Sequence, residues 1–345
     1  MKPNEIKEAL SNWKVLVRNY QKPDINKATW QVVNTFIPFL GICVLMYFSL
    51  DISYWLTLAL GALNSFFMVR IFIIQHDCGH QSFLPSETAN NIIGRVCAFF
   101  SFIPFRYWAK SHSFHHAHNA KLWEHQEIGD IWTMTVDEYR AASKGTKRWY
   151  RIYRSPLILF VIGPVYYLLV PSRLPLITMK GWTKERASIW RTNIYLVLVY
   201  AILGYIIGYG VMLKIFAPIL VMFSIIAIWF FYVQHQHNPN YKMPKDKWDY
   251  LIAAIKGSTY YKLPKLMHWL TGNIGFHHIH HLNSKIPNYN LAKCHHENPV
   301  FDKIAVKLTF IESFKCAFHK LWDEEKQKMI SFREFYRLEK MRSLA

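Results

Sequence analysis

Two runs of almost uninterrupted apolar residues, 32–74 and 193–233, constrain this chain more than any other feature. Each is long enough for two bilayer crossings of ~20 residues, and backbone in lipid must satisfy its own hydrogen bonds, which favours helix. Ser49, Asp51 and Ser53 interrupt the first run, and Gly208, Gly210 and Lys214 interrupt the second, so each reads as a helical hairpin. The expected spans are 32–50, 53–74, 193–209 and 214–233. Two shorter apolar segments, 92–105 and 157–170, carry Pro104, Gly163 and Pro164 and lack the length for a comfortable crossing. They belong in the membrane interface.

Charge sets the orientation. The chain has 41 Lys and Arg against 22 Asp and Glu, a formal net charge of +19. Such an excess calls for an anionic partner, and the apolar runs make that partner a lipid surface rather than nucleic acid. With four spans only Lys214 falls on the outer side, so the rule that basic residues stay inside puts both termini in the cytoplasm. The first 27 residues lack the apolar core of a signal peptide, and the five cysteines are scattered without a CxxC pair. A reduced cytoplasmic face is expected. The whole chain, 1–345, then forms one all-α integral membrane unit of four transmembrane helices in two hairpins, with a cytoplasmic helical cap from 75–192 and 234–345. After Phe301 the tail reads as amphipathic helices on the membrane surface or as ordinary solvated ones.

The histidines carry the chemistry. His76 and His80 stand at i and i+4 at the expected cytoplasmic end of the second span. His112, His115 and His116 repeat the logic at i, i+3 and i+4, and so do His277, His280 and His281. On helices each set presents its imidazoles to one side. His235 ends the fourth span on the same side. A crossing at 157–170 would separate His235 from His112, which argues against it. Nine imidazoles at one membrane face make a nitrogen-rich site for two transition-metal ions, and imidazole suits iron, zinc and copper alike.

The other histidines, His118, His125, His237, His268, His278, His295, His296 and His319, lie outside the repeated spacing. On a continuous helix His278 points about 100° away from His277. His237, two residues past His235, could share a metal only from a non-helical segment. His237 and His278 are therefore kept as additional candidates. Ligand imidazoles usually donate their second nitrogen to a carboxylate or carbonyl, for which Asp77, Glu124, Asp130 and Asp249 are candidates, or else charges solvated at the surface. Asn273, four residues before His277, either faces the same ion or caps a helix.

The ordered set HDCGH (76–80), HSFHH (112–116) and HHIHH (277–281) resembles the three histidine boxes of membrane fatty acid desaturases. Similarity to bacterial acyl-lipid members extends through GDIWTMTVDEY (129–139), FYVQHQ (231–236) and TGNIGFHHIHHLNSKIPNY (271–289). The resemblance implies a di-iron centre held by the boxes, completed here by His235, and a narrow apolar tunnel for the acyl chain, which 99–108 could line. It implies that oxygen and two electrons remove two hydrogens from adjacent methylenes, leaving a cis double bond and water. Membrane glycerolipid is the expected carrier of the acyl chain, with coenzyme A and carrier protein as the alternatives, and a position-12 or omega-type bond is the regiochemistry that family likeness suggests. No HPGG haem signature is present, so electrons are expected from a separate donor such as a ferredoxin, which a basic face could dock.

Two other readings compete. A di-iron hydroxylase or ketolase acting on alkanes, carotenoids or sterols shares the histidine logic but is disfavoured by the acyl-lipid-like segments. A metal transporter would need polar groups near mid-membrane, where only Asn64 is an obvious candidate.

Overall fold

The computed structural model describes residues 2–122 and 128–344. Among the described residues four helices are long and apolar enough to cross a membrane, and they form the frame. The first, α1 (Ile25–Ser49), starts where the Asp24 carboxylate accepts the amides of Asn26 and Lys27, the usual device for satisfying free N–H groups at a helix start. It returns through a short turn into α2 (Tyr54–Gly79), and Ser49 and Thr57 close the turn with a 2.7 Å hydroxyl contact. Two polar groups inside this hairpin are locked into packing. Asn64 donates to the Phe39 carbonyl at 3.1 Å. Arg70, buried, bonds Thr35, Asn34 and the Trp269 carbonyl.

Next come α3 (Glu87–Ser101), which ends at Phe102 with φ +60°, and α4 (Phe105–His118). After the segment 123–127 the chain forms α5 (Lys144–Tyr153), a π-helical turn (Ile158–Ile162) and α6 (Gly163–Leu169), with a bend of 55° after α5. Together these pieces could count as a fifth span by length and composition. The chain nevertheless comes back to its starting level, because Arg106 at the start of α4 meets Glu185 at the start of the next long helix at 3.3 Å.

That helix is α7 (Thr183–Ile207), followed by α8 (Tyr209–His235). The break between them is the single residue Gly208, at φ +87°, where a side chain would be strained. This corrects the expected limits of 193–209 and 214–233: the turn is tighter, Lys214 is helical, and both helices run further at their ends. The Tyr209 hydroxyl donates to the Ala201 carbonyl, and Tyr200 packs edge-on against Phe216, as an antiparallel pair requires.

The cap is mainly short helices: α9 (Tyr250–Lys256), α10 (His277–Leu282), α11 (Asn288–Glu297) and α12 (Phe332–Arg342). It is not purely helical. Among the described residues three two-stranded pairs cross-link it: Lys121–Leu122 with Met243–Pro244, Tyr260–Lys262 with Lys307–Thr309, and Leu321–Asp323 with Lys328–Ile330. Strands this short carry no periodicity that sequence could register. The helix Phe310–Cys316 exposes Phe310, Ile311 and Phe314, so that stretch of the tail has the apolar face of an interfacial helix.

Candidate metal centre

The helix ends bring the histidines together. His76 comes from the last turn of α2 and His80 follows it; His112, His115 and His116 lie on α4; His235 ends α8; His277, His280 and His281 lie on α10. Their ring nitrogens gather into two adjoining groups. His76, His80, His112, His116 and His280 form one, with all donor atoms within 4.8 Å of one another, and His115, His235 and His281 form the other. His277 joins the second group, its Nε2 lying 2.9 Å from that of His235 and 3.1 Å from that of His281. In the first group the Nε2 of His112 is 3.0 Å from that of His76 and 3.1 Å from that of His116. The groups abut where His116 stacks on His281, with ring centroids 4.2 Å apart.

These spacings test whether a metal fits. Two imidazole nitrogens bound at about 2.1 Å and at right angles to each other sit about 3 Å apart, which matches the contacts above. A neutral imidazole has one donor and one acceptor nitrogen, so several Nε2 atoms turned on one another cannot all be paired by hydrogen bonds. The Nε2 of His80 and both ring nitrogens of His280 are buried without any partner. An electrophile at the centre of the first group would take His80 Nε2 and one ring nitrogen of His280. Burial, reinforced by neighbouring imidazoles, pushes His112, His116, His280 and His281 well below the ordinary histidine value, and His115 falls to about 4. Their lone pairs are therefore available to a metal at neutral pH.

Supporting contacts fix the rings. Asp77 accepts from His76 Nδ1 at 2.8 Å, and its other oxygen takes the backbone and side-chain amides of Asn288 at 2.6 and 2.8 Å. His235 Nδ1 donates to the Gly257 carbonyl at 3.1 Å. Trp108 stacks on His112 at 4.5 Å, and Phe231 packs within 5.3 Å of both His115 and His235. At Gly129, φ +77°, a Cβ would press within 3.0 Å of His115, so the chain can turn beside the ligand helix only with glycine there.

The remaining sequence candidates fall elsewhere. His278 is buried against Tyr260 and His295, on the side of α10 away from the clusters. His237 turns its Nδ1 to the Pro239 carbonyl, because the chain has already left the helix. Asp130 accepts the amide of Ile131, and only its charge reaches His115. Asp249 caps α9 through Ile252 and pairs with Lys7 at 2.7 Å. Asn273, in a left-handed turn rather than a helix cap, donates to the Asn288 carbonyl at 3.3 Å. His118 stacks on Phe114, His268 on Phe276, His295 approaches Asp302, His296 is exposed, and His319 donates to the Gln236 carbonyl. Glu124 and His125 lie outside the described residues. Asn288 is the supporting residue that spacing missed, since it stands 211 positions from Asp77.

Comparison with known proteins agrees with this chemistry. The fatty acid desaturase family model matches residues 53–309. A fatty acid desaturase of Bacillus subtilis is 43% identical over 319 residues, covering 92% of this chain and 89% of that protein. An sn-1 oleoyl-lipid 12-desaturase of Synechocystis is 26% identical over 75% of this chain and 71% of its own length. An sn-1 acyl-lipid omega-3 desaturase (ferredoxin) of Synechocystis is 27% identical over 65% of this chain and 62% of that protein.

The chain belongs to the fatty acid desaturase family. It is an oxidoreductase that uses oxygen to introduce double bonds into fatty acyl chains.

Proposed function

We propose that the two imidazole groups hold two irons, that the acyl chains desaturated belong to membrane glycerolipids, and that a ferredoxin supplies the electrons from the cytoplasmic side. The observation that carries the metal reading is the all-nitrogen donor set in two adjoining groups with buried, unpartnered ring nitrogens. Support for glycerolipid comes from the names of the oleoyl-lipid and acyl-lipid relatives, and support for ferredoxin from the second of these. Support for the orientation is the basic-residue asymmetry about the four apolar helices.

In the balanced reaction adjacent methylenes lose two hydrogens to form the double bond, while O2, two electrons and two protons complete two waters. Unactivated C–H bonds offer no acidic or polar handle, so bound iron would supply the oxidising power and the protein supplies position. For its part the chain keeps the imidazoles of His112, His115, His116, His280 and His281 neutral, orients His76 through Asp77 and His235 through Gly257, and shields the centre with Trp108 and Phe231.

The test is expression in a host rich in saturated and monounsaturated lipids, with a ferredoxin and its reductase. The expected products are acyl chains about two mass units lighter than a host precursor, still esterified to glycerolipid. Products about sixteen units heavier with no new double bond would favour the hydroxylase reading. Double bonds confined to thioester-linked acyl groups would overturn the glycerolipid assignment.

A further inference from the structure

Helix α5 carries a feature that neither the metal centre nor the acyl substrate uses. Lys144, Lys147, Arg148 and Arg151 fall at i, i+3, i+4 and i+7, and so share one face. With Tyr336 of α12 and Ile152 they line an open cavity of about 630 Å³. The opposite face is anchored by Tyr150, whose buried hydroxyl bonds the Met134 amide and the Lys320 carbonyl. Arg151 is held over the rings of Phe332 and Tyr336, at 5.7 and 5.8 Å, and Lys147 donates to the Arg140 carbonyl at 2.9 Å. The neighbouring acids are otherwise engaged: Arg140 takes Glu339 at 2.9 Å and also Asp137, and Lys328 takes Glu334 at 2.8 Å. Among the described residues no carboxylate pairs with the four cations of α5. Like charges on successive turns repel one another, and an anion in the cavity would relieve that repulsion.

The surroundings say which anion. Ile152, which borders the cavity, is exposed, Trp149 is exposed elsewhere on the same helix, and beyond the bend Leu157, Ile162, Tyr166 and Leu169 expose a further apolar surface. Arg154, just past α5, bonds the Tyr232 hydroxyl at 3.1 Å, three residues before His235 ends α8. The cavity therefore stands level with the end of an apolar helix. Exposed tryptophan, aliphatic side chains and lysines at that level are the composition of a lipid interface. An acidic protein partner would leave the apolar side chains unexplained.

We propose that α5 and Tyr336 form a headgroup site for an anionic phospholipid, with the lipid phosphate held by Lys144, Lys147, Arg148 and Arg151. This rests on the membrane reading of the chain and is independent of the metal centre. The test titrates the purified full-length protein in detergent with phosphatidylglycerol or phosphatidylcholine and counts retained lipids by native mass spectrometry. Wild type should retain phosphatidylglycerol in preference. Lys144→Gln with Arg148→Gln, whose side chains make no other polar contact among the described residues, should weaken that retention about tenfold. Replacing all four cations by Gln should abolish the preference. Metal content and melting temperature of the double variant should stay at the wild-type level. Equal phosphatidylglycerol retention by wild type and both variants would overturn the proposal. So would displacement of the lipid by equimolar inorganic phosphate, or variants that lose binding of an acidic ferredoxin while keeping the lipid.

Discussion

The Nε2 atoms of His235 and His277 lie 2.9 Å apart although the residues are 42 positions apart in sequence, which joins the end of the fourth apolar helix to the start of α10. Neither helix end can shift without opening the second imidazole group. Replacing His235 or His277 by Ala should therefore lower metal content and reduce desaturation at least ~100-fold, because an incomplete set of ligands cannot hold the metal in working geometry. Elemental analysis of each purified variant checks this, and full metal loading in either would contradict the grouping.

Asp77 is the buried carboxylate that ties the first group to the cap, through His76 on one oxygen and Asn288 on the other. Asp77→Asn keeps the size of the side chain but can accept at only one of its two positions. Metal affinity should fall about 10–100-fold, as for other partners that orient ligand histidines. A chelator competition series measures it directly, and an unchanged midpoint would mean that Asp77 serves packing alone.

Adjacent residues on α10 should behave differently. His278→Ala leaves a cavity against Tyr260 and His295, so it should cost about 1–3 kcal/mol of stability while metal content remains full. Loss of metal comparable to that in His277→Ala would show that α10 is not aligned as described.

Much of this was legible in sequence because helix period turns spacing into facing. The i, i+3, i+4 histidines of α4 and α10 meet in space, and the 100° offset of His278 turns it away from the clusters. Tertiary partners were less accessible. Asp77 could be proposed because it neighbours His76, but its clamp Asn288 comes from a distant element. The turn at Gly208 is tighter than the run of Gly208, Gly210 and Lys214 predicts, because Gly208 alone makes the turn and Tyr209 packs straight back onto α7. Arg70 lay inside an apolar run with no local sign of the buried partners that accommodate it.

The proposed orientation predicts a simple pattern of accessibility. Reporter fusions at the N-terminus, near Lys144 and at the C-terminus should all register as cytoplasmic, since only Lys214 among the basic residues falls to the other side of the four helices. A periplasmic signal near Lys144 would break the account, because the chain would then cross between α2 and α5, and His76 and His80 would be split from His112 between membrane faces.

If nine histidines hold two irons in adjoining groups, elemental analysis of the purified chain will read both ions. The expected content is about two irons per chain, falling to about one in His112→Ala, which damages the first group, and to about one in His235→Ala, which damages the second. A protein carrying zinc or copper instead, or one whose iron is unchanged by both substitutions, would contradict it.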